Sequence, residues 1–220
     1  MTGSSFVIAI DGPAASGKSS TAQMVAEKLG FLHIDSGSLY RAATAAALRD
    51  QRARGWSEDE VLQAARGVEL RPARTSFYPV LDGHGIEDEI RGTEVTRQVS
   101  RVAQMPRVRE WVNDVVRAAA AGRNVVVDGR DMGTVVFPNA DLKIFLVADS
   151  RERAARRLRQ RGTPTSEQMI VDETRLIDER DARDARQTVP AVDAVVIDTT
   201  RLTQQEQVER IVTLAERGRA

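Results

Sequence analysis

The chain has 220 residues, 41% of them hydrophobic, which is enough for one α/β domain with an insertion or a small second lobe. Lysine plus arginine and aspartate plus glutamate each number 32, so no overall attraction to nucleic acid or to an anionic membrane is implied. The lack of cysteine excludes disulfides, thiolate catalysis and cysteine-based metal sites. Neither a signal-peptide pattern nor an apolar run of about 18 residues occurs, and we expect a soluble cytoplasmic protein.

The first predicted elements are a strand, a loop and a helix within residues 6–29. Residues 6–10 (FVIAI) form a short apolar run rich in β-branched side chains, which is typical of a strand buried on both faces. Residues 12–19 (GPAASGKS) fit the pattern G-x-x-x-x-G-K-[ST] without a mismatch. Apolar residues then recur at helical spacing over residues 22–29. This order of elements is the context that a phosphate-binding P-loop requires.

Such a loop surrounds phosphate groups with backbone N–H groups and with the positive end of a helix dipole. Lys18 is positioned to reach the β- and γ-phosphates, and the Ser19 hydroxyl is positioned to face Mg²⁺. A dinucleotide-binding turn is rejected, because Ala14 stands where its second glycine should be. The predicted ATP-binding residues are Gly12, Pro13, Ala14, Ala15, Ser16, Gly17, Lys18, Ser19 and Ser20.

A second strand is predicted at residues 31–35, followed by the polar sequence DSGSLYR and by a helix over residues 40–49. Asp35 and Ser36 are either helix N-caps or ligand contacts at the carboxyl edge of the sheet. Arg41 would lie at the start of this helix, against the preference of the helix dipole, and an anionic ligand is one reason for it to be there.

Residues 57–92 interrupt the alternation of buried strands and helices. Ser57 and Glu60 form a capping-box pattern, and short strand candidates follow, separated by proline and glycine. We interpret this segment as a substrate-side lobe inserted into the α/β core. Two helices are predicted after it, and Arg107 and Arg109 lie off the apolar stripe of the second one.

The next predicted strand, residues 124–128 (NVVVD), ends in Asp128-Gly129-Arg130-Asp131. Asp128 is where a P-loop enzyme keeps an acidic residue for the Mg²⁺ shell. A structural aspartate–arginine pair is the alternative. An unpaired carboxylate at a buried strand end is costly, so Asp128 needs either a metal ion or an arginine as its partner.

A fourth strand is predicted at residues 142–147, and a fifth at residues 195–197. Between them lies an arginine-rich helix that is broken at Gly162, Pro164 and Ser166. This region, residues 150–166, is either a lid that closes over phosphate charge or a solvated charged helix. The helix after it alternates in charge at its end, which usually indicates a salt-bridged surface. Thr203 and Glu206 then form a capping-box pattern for a final amphipathic helix.

Five short strands that alternate with helices predict an α/β fold: a P-loop NTPase-type, five-stranded, mostly parallel sheet with helices on both faces, plus a small α+β insertion and a lid. A P-loop alone does not identify the phosphate acceptor. A GTPase switch would normally carry N-K-x-D, which is missing from the sequence. A motor or nucleic-acid ATPase would be longer and carry a basic stripe. A small-molecule kinase is therefore favoured.

The sequence closely resembles the bacterial cytidylate kinases, a family of nucleoside monophosphate kinases, over nearly its whole length. The matching segments are IDGPAASGKSS, DSGSLYR, SRVAQMPRVR, DGRDMGTVVFP, KIFL and ERDARD. The resemblance implies transfer of the γ-phosphoryl group of ATP to CMP or dCMP, with Mg²⁺ as the cofactor. It implies a single kinase unit over residues 1–220, with residues 57–92 as the insertion, and we expect a monomer that binds neither nucleic acid nor membrane.

The resemblance also implies a role for each matching residue. Ser36, Arg41 and Arg130 would hold the CMP phosphate region, and Ser100, Arg109 and Asp131 would read the cytosine edge. Arg180 and Asp184 would contact the sugar and phosphates. The implied lid residues are Arg153, Arg156 and Arg157, the implied metal ligands are Ser19 and Asp128, and the implied catalytic residues are Lys18, Arg41, Arg130 and Arg180.

The sequence departs from the family pattern at two places. The family usually has an arginine seven residues after position 180, where this chain has Gln187, and Arg186 is the candidate replacement. In the insertion, Gly83-His84-Gly85-Ile86 stands where the family tends to show G-x-D-V, although Glu89-Ile90-Arg91 is retained.

Overall fold

The structure is a computed structural model and describes residues 5–50, 55–163 and 165–219. In chain order the strands are β1 (Val7–Asp11), β2 (Leu32–Asp35), β3 (Val68–Pro72), β4 (Phe77–Leu81), β5 (His84–Gly85), β6 (Val125–Asp128), β7 (Leu142–Val147) and β8 (Val195–Asp198). The helices are α1 (Lys18–Leu29), α2 (Ser36–Arg49), α3 (Glu58–Ala64), α4 (Glu87–Ile90), α5 (Thr93–Val102), α6 (Pro106–Ala120), α7 (Ser150–Gln160), α8 (Glu167–Asp184) and α9 (Gln204–Arg219). A 3₁₀ turn covers Ala65–Gly67 and a π-helix covers Met132–Val136.

The central sheet is parallel and has five strands in the described part of the chain, in the order β2-β6-β1-β7-β8. β1 pairs with β7 in register Ile8 with Leu142, and β7 pairs with β8 in register Ile144 with Val195. The predicted five-stranded α/β fold is confirmed. Continuous apolar runs such as VVV in β6 are fully buried because helices cover both faces of a parallel sheet.

The chain divides into two compact units. One contains Leu32–Val125, and the other contains Phe6–Phe31 and the chain from Val126 onward. The core of this second unit is built by β1, β7, α1 and α9. Its side chains are almost completely buried, which follows from the helical spacing of the apolar positions on α1 and α9.

The first unit contains the antiparallel sheet β3-β4-β5 and helices α2 to α6. Helix α2 packs against α5, α3 and β4. Alanines at 42, 43, 45, 46 and 47 are buried along it, so backbones can approach it closely on several sides. The predicted insertion, residues 57–92, lies within this unit.

Two predicted helix starts are confirmed by their caps. The Ser57 and Glu60 side chains exchange hydrogen bonds with each other's backbone N–H groups, and Thr203 and Glu206 do the same. The predicted start of α2 at residue 40 was wrong. The helix begins at Ser36, because the Asp35 side chain caps it by accepting from Ser38 N at 3.2 Å.

Within the described residues, no helix is both long enough and apolar enough to cross a membrane.

Candidate active site

The P-loop joins the end of β1 to the start of α1 in the second unit. Gly12 has φ 148°, and a Cβ at this position would lie 2.2 Å from the Leu146 carbonyl oxygen, so no other residue fits there. Gly17 precedes the helix with φ 90°, in the left-handed region, and no side chain caps the first turn of α1. The N–H groups at this helix start therefore have no side-chain acceptor, as an anion-binding loop requires.

Lys18 is the cation of the P-loop, and its pKa is strongly shifted. Its side chain is buried, and Nζ donates to the Pro13 carbonyl oxygen at 2.6 Å and to Ser16 Oγ at 3.4 Å. Burial lowers the pKa of Lys18 well below its ordinary value, and the positive charges of Arg130 and Arg180 lower it further against the opposing effect of Asp128 and Asp11. A buried site that gathers three cations is suited to bind a multiply charged anion.

Ser19 and Asp128 come together at the carboxyl end of the sheet. The Ser19 hydroxyl donates to Asp128 Oδ2 at 2.6 Å, and Asp128 is only 2% exposed. Among the described residues there is no cluster of three or more histidine, cysteine or acidic side chains that could hold a metal alone. Two hard oxygen ligands fit Mg²⁺, which keeps water and phosphate oxygens as its other ligands.

The segment after β6 places Arg130 beside the P-loop. Arg130 Nη1 donates to the Gly12 carbonyl oxygen at 3.2 Å, and its Nε lies 3.4 Å from Asp184 Oδ2. Arg180 Nε lies 3.6 Å from the same carboxylate oxygen. Two arginines thus contact one buried aspartate from α8.

Asp131 is buried directly before the π-helix Met132–Val136. The sequence did not predict this π-helix. π-helical turns are rare and occur frequently at functional sites, and this one follows immediately on the residues predicted to bind the acceptor.

Asp11, at the end of β1, was missed as a site residue by the sequence reasoning. Its carboxylate accepts from Met132 N at 2.8 Å and from Gly133 N at 2.7 Å. Burial raises the pKa of Asp11 to about 6, with a smaller rise from the negative charge of Asp131, against the lowering effect of the two N–H donors and of Lys18. The available signal was an acidic residue that ends an otherwise apolar buried strand.

Two residues of α7 and α8 hold the backbone of the P-loop. Arg153 Nη1 donates to the Ala14 carbonyl oxygen at 2.9 Å and pairs with Asp181. Asp181 Oδ1 accepts from Ala14 N at 3.0 Å. The sequence placed Arg153 in a lid and gave Asp181 no role, yet in this structure both contact the loop directly.

The other two predicted lid arginines also have partners in the second unit. Arg156 donates to the Thr199 carbonyl oxygen at 2.6 Å and to Glu152 Oε1 at 3.0 Å. Arg157 pairs with the buried Glu173 at 3.1 Å. Pro164, in the predicted break of the lid region, lies outside the described residues.

A cleft of about 430 Å³ opens beside Gly17. Its walls include Arg156 and Arg159 from α7, residues 200–203, and Gln204 and Gln207 from the start of α9. Gln207 is buried, accepts from Thr21 Oγ1 at 3.1 Å and donates to the Leu202 carbonyl oxygen at 3.2 Å. Gln207 therefore joins one wall of the cleft to α1. This residue was not identified from the sequence.

Four predicted acceptor-site residues lie in the first unit. Ser36 is buried as the first residue of α2. Arg41 lies in the second turn of α2, so its predicted position at the helix start was wrong; its Nη1 donates to the Ile90 carbonyl oxygen and to Thr96 Oγ1, both at 3.1 Å. Ser100 is half-buried on α5.

Arg109, on α6, is held by two kinds of contact. Its Nη1 donates to the Ala103 carbonyl oxygen at 3.0 Å, and its guanidinium lies 5.7 Å from the centre of the Tyr40 ring. In the second unit, Arg186 is exposed and lies two residues beyond Asp184, the last residue of α8.

The chain matches the family described as Cytidylate kinase over residues 8–217. It is 44% identical over 218 residues to a cytidylate kinase of Geobacillus kaustophilus, with 94% of this chain and 95% of the relative covered. It is 42% identical over 212 residues to a cytidylate kinase of Desulfitobacterium hafniense, with 94% and 91% covered.

A shikimate kinase structure from Bacteroides thetaiotaomicron superposes with a TM-score of 0.50 at 14% identity, with 96% of this chain and 98% of that chain covered, which supports the fold. The family is identified by the sequence match over nearly the full length. The P-loop and its acidic and arginine partners agree with it. The chain belongs to the cytidylate kinase family.

Proposed function

We propose that the chain carries out the reaction named by its family, the transfer of the γ-phosphoryl group of ATP to CMP or dCMP. The observation that carries this proposal is that Lys18 and Arg130 each donate to a P-loop carbonyl oxygen, and that Arg180 shares the Asp184 carboxylate with Arg130. Phosphoryl transfer spreads negative charge over the oxygens of the moving group, and catalysis depends mainly on positioning and on electrostatic stabilisation of that charge. Three cations held in place before substrate arrives meet this requirement.

The P-loop is the site for the ATP phosphates in this proposal. Backbone N–H groups of residues 15–17 and of the start of α1 bind the β-phosphate, since Pro13 has no N–H and the Ala14 N–H donates to Asp181. Lys18 contacts the β- and γ-phosphates. Ser19 and Asp128 would hold Mg²⁺, and the ion when bound supplies positive charge against the phosphate oxygens. The cleft beside Gly17 has the volume and the basic wall to hold the nucleoside part of ATP.

The acceptor in this proposal is CMP or dCMP. Ser36, Arg41 and Arg130 bind its phosphate, and Arg180 and Asp184 contact its sugar and phosphates. Ser100, Arg109 and Asp131 read the cytosine base. A carboxylate accepts from the exocyclic amine, while arginine and hydroxyl groups donate to the ring nitrogen and carbonyl oxygen. Arg186 stays a candidate for the phosphate contact that Gln187 cannot make.

The chain's own residues act by orientation and charge, and we assign no general base. Arg130 and Arg180 hold the acceptor phosphate and the transferred group in line, with Asp184 fixing both guanidinium groups. We propose that the region of residues 150–166 acts as a lid, with Arg153, Arg156 and Arg157, and that it excludes water, since water reaching the γ-phosphate would hydrolyse ATP.

The test is ADP production from ATP and Mg²⁺ with CMP, dCMP, UMP, AMP and shikimate offered separately. We expect strong turnover with CMP and dCMP and weak turnover with the rest. Strong turnover with another acceptor would refute the base-reading roles while keeping the P-loop kinase. A folded protein that makes no ADP in response to any acceptor would refute the proposed reaction.

A further inference from the structure

The proposed reaction gives no role to Asp11, a buried carboxylate of the second unit. Asp11 is 4% exposed and ends β1 directly before the P-loop, and its carboxylate contacts the segment after β6. Each of its oxygens accepts one backbone N–H, from Met132 at 2.8 Å and from Gly133 at 2.7 Å.

These two donors follow directly on Arg130 and Asp131 in the chain. The same segment is joined to β1 and the P-loop on either side of Asp11, because Gly129 N donates to the Ile10 carbonyl oxygen at 3.1 Å and Arg130 Nη1 donates to the Gly12 carbonyl oxygen at 3.2 Å. The acceptors at 10 and 12 are backbone atoms that any residue provides. Of these acceptors, Asp11 is the one that depends on the identity of a side chain.

The chemistry of the contact requires a carboxylate. An asparagine would accept one of the two N–H groups through its oxygen and oppose the other with its own NH₂ group. An alanine would leave two buried N–H groups without acceptors, which is costly. The backbone at Gly133 also lies close to the Asp11 carboxylate. A Cβ on Gly133 would lie 3.4 Å from Asp11 Oδ2 and 3.3 Å from the Lys143 side chain.

We propose that Asp11 is a positioning residue that fixes the segment carrying Arg130 and Asp131, and thereby sets the affinity for CMP and the preference for cytosine. In this proposal Asp11 acts through that segment and not by contact with a substrate. The inference rests on the proposed acceptor-binding roles of Arg130 and Asp131. Because the segment is held from the end of β1, a small displacement there moves both acceptor contacts together.

The experiment compares Asp11→Asn with Asp141→Asn by steady-state kinetics, with CMP and UMP as acceptors and ATP varied separately. Asp141 is a matched control, since its exposed carboxylate also accepts a β1 backbone N–H, that of Val7 at 2.8 Å, but at the opposite end of the strand. We expect Asp11→Asn to raise the KM for CMP at least about tenfold and to reduce the CMP-to-UMP preference, because small misplacements cost large factors. The KM for ATP should change less than about threefold, and Asp141→Asn should resemble the parent.

An unchanged KM for CMP and an unchanged base preference in Asp11→Asn would overturn the proposal. So would an equal rise in the KM values for CMP and ATP, which a general loosening of the P-loop would produce. The substitution Asp11→Asn is isosteric and preserves the side-chain volume, and thermal unfolding checks that the variant is folded.

A double-mutant cycle separates the proposal from the roles on which it rests. If Asp11 acts through Asp131, Asp11→Asn should lower the base preference much less in an Asp131→Ala background than in the parent. If the effects of Asp11→Asn and Asp131→Ala on the base preference were fully additive, the proposal would be contradicted. A failure of the proposed function itself appears elsewhere, as an Asp131→Ala variant with unchanged base preference or a parent protein without CMP-dependent ADP production.

Discussion

The Ser19 hydroxyl donates a 2.6 Å hydrogen bond to the Asp128 carboxylate, which joins the start of α1 to the end of β6. The two residues come from the P-loop and from a strand more than a hundred positions later, and their oxygens form the pair that would face Mg²⁺. A carboxylate has two oxygens that can each accept more than one partner, so the buried Asp128 side chain can bind the Ser19 hydroxyl and a cation together.

We predict that Asp128→Asn raises the Mg²⁺ concentration needed for half-maximal turnover by about 10–100-fold, because it removes a negative charge and an ordering partner from the metal shell. The measurement is ADP production at fixed ATP and CMP while Mg²⁺ is varied. Asp172→Asn is the control, since Asp172 is exposed on α8 and accepts from Gln168 of the same helix. A parent-like Mg²⁺ dependence in Asp128→Asn would rule out the metal role.

We predict that Lys18→Met lowers turnover by at least about a thousandfold, since it removes a preorganised charge at the transferred phosphoryl group. The methionine keeps much of the volume of the lysine stem. Because burial disfavours the charged form of Lys18, the variant should unfold at a temperature no lower than the parent. Lys28→Met, on the exposed side of the same helix near Glu209, should leave turnover unchanged, and near-normal turnover in Lys18→Met would contradict the P-loop role.

We predict that Asp131→Ala reduces the preference for CMP over UMP by at least about tenfold, because a site built to hydrogen-bond the cytosine amine discriminates through that contact. The KM for ATP should change much less. The measurement is kcat/KM for both acceptors at saturating ATP. An unchanged ratio would show that Asp131 does not read the base.

The parts of the fold that the sequence predicted correctly depend on short segments. The strand, loop and helix around Lys18 lie within residues 6–29, and the capping boxes at Ser57 and Thr203 each need four residues. In these stretches the local chemistry largely decides the structure. The strand β6 was likewise predictable, because a strand of a parallel sheet that is covered on both faces has a nearly continuous apolar sequence.

The parts that sequence reasoning missed depend on contacts between distant segments. Asp11 faces residues 132 and 133, and Asp181 meets Ala14, so neither role is visible in any local pattern. The start of α2 was misplaced for a different reason. The sequence allowed Asp35 to be a helix cap or a ligand contact. The hydrogen bond from Ser38 N establishes the cap and with it the start of α2.

Gln207 leads to a prediction about the ATP side of the site. Gln207→Ala should raise the KM for ATP by about tenfold while changing the KM for CMP little, because the wall at residues 200–203 loses the side chain that joins Leu202 to Thr21 of α1. The Leu202 carbonyl oxygen would lose this donor, so the free energy of unfolding should fall by about 1–3 kcal/mol. Gln205→Ala is the matched control, since Gln205 is exposed on the same helix and donates to Glu209 of that helix. Equal KM values for ATP in the two variants would contradict this role.

The pKa of Asp11 predicts how stability depends on pH. Its pKa is raised from 3.8 to about 6 in the folded protein, so between these values the folded state binds more protons than the unfolded state. The free energy of unfolding should therefore fall as pH rises from about 4 to about 6, by up to about 3 kcal/mol from this group, and should not change further above that range. This direction is opposite to that of a carboxylate whose pKa is lowered by an ion pair.

The measurement is chemical denaturation of the parent and of Asp11→Asn at several pH values from 4 to 7. Other carboxylates titrate in this range in both proteins, so the quantity of interest is the difference between the two free energies of unfolding. That difference should shift in favour of the variant as pH rises, because only the parent must carry a buried charge at neutral pH. Asp131 and Lys18 act on the same carboxylate with opposite signs, so Asp131→Asn should move the midpoint of the shift to lower pH. A difference that stays constant from pH 4 to pH 7 would mean that Asp11 ionises as it does in the unfolded chain, and that its two N–H donors offset the whole cost of burial.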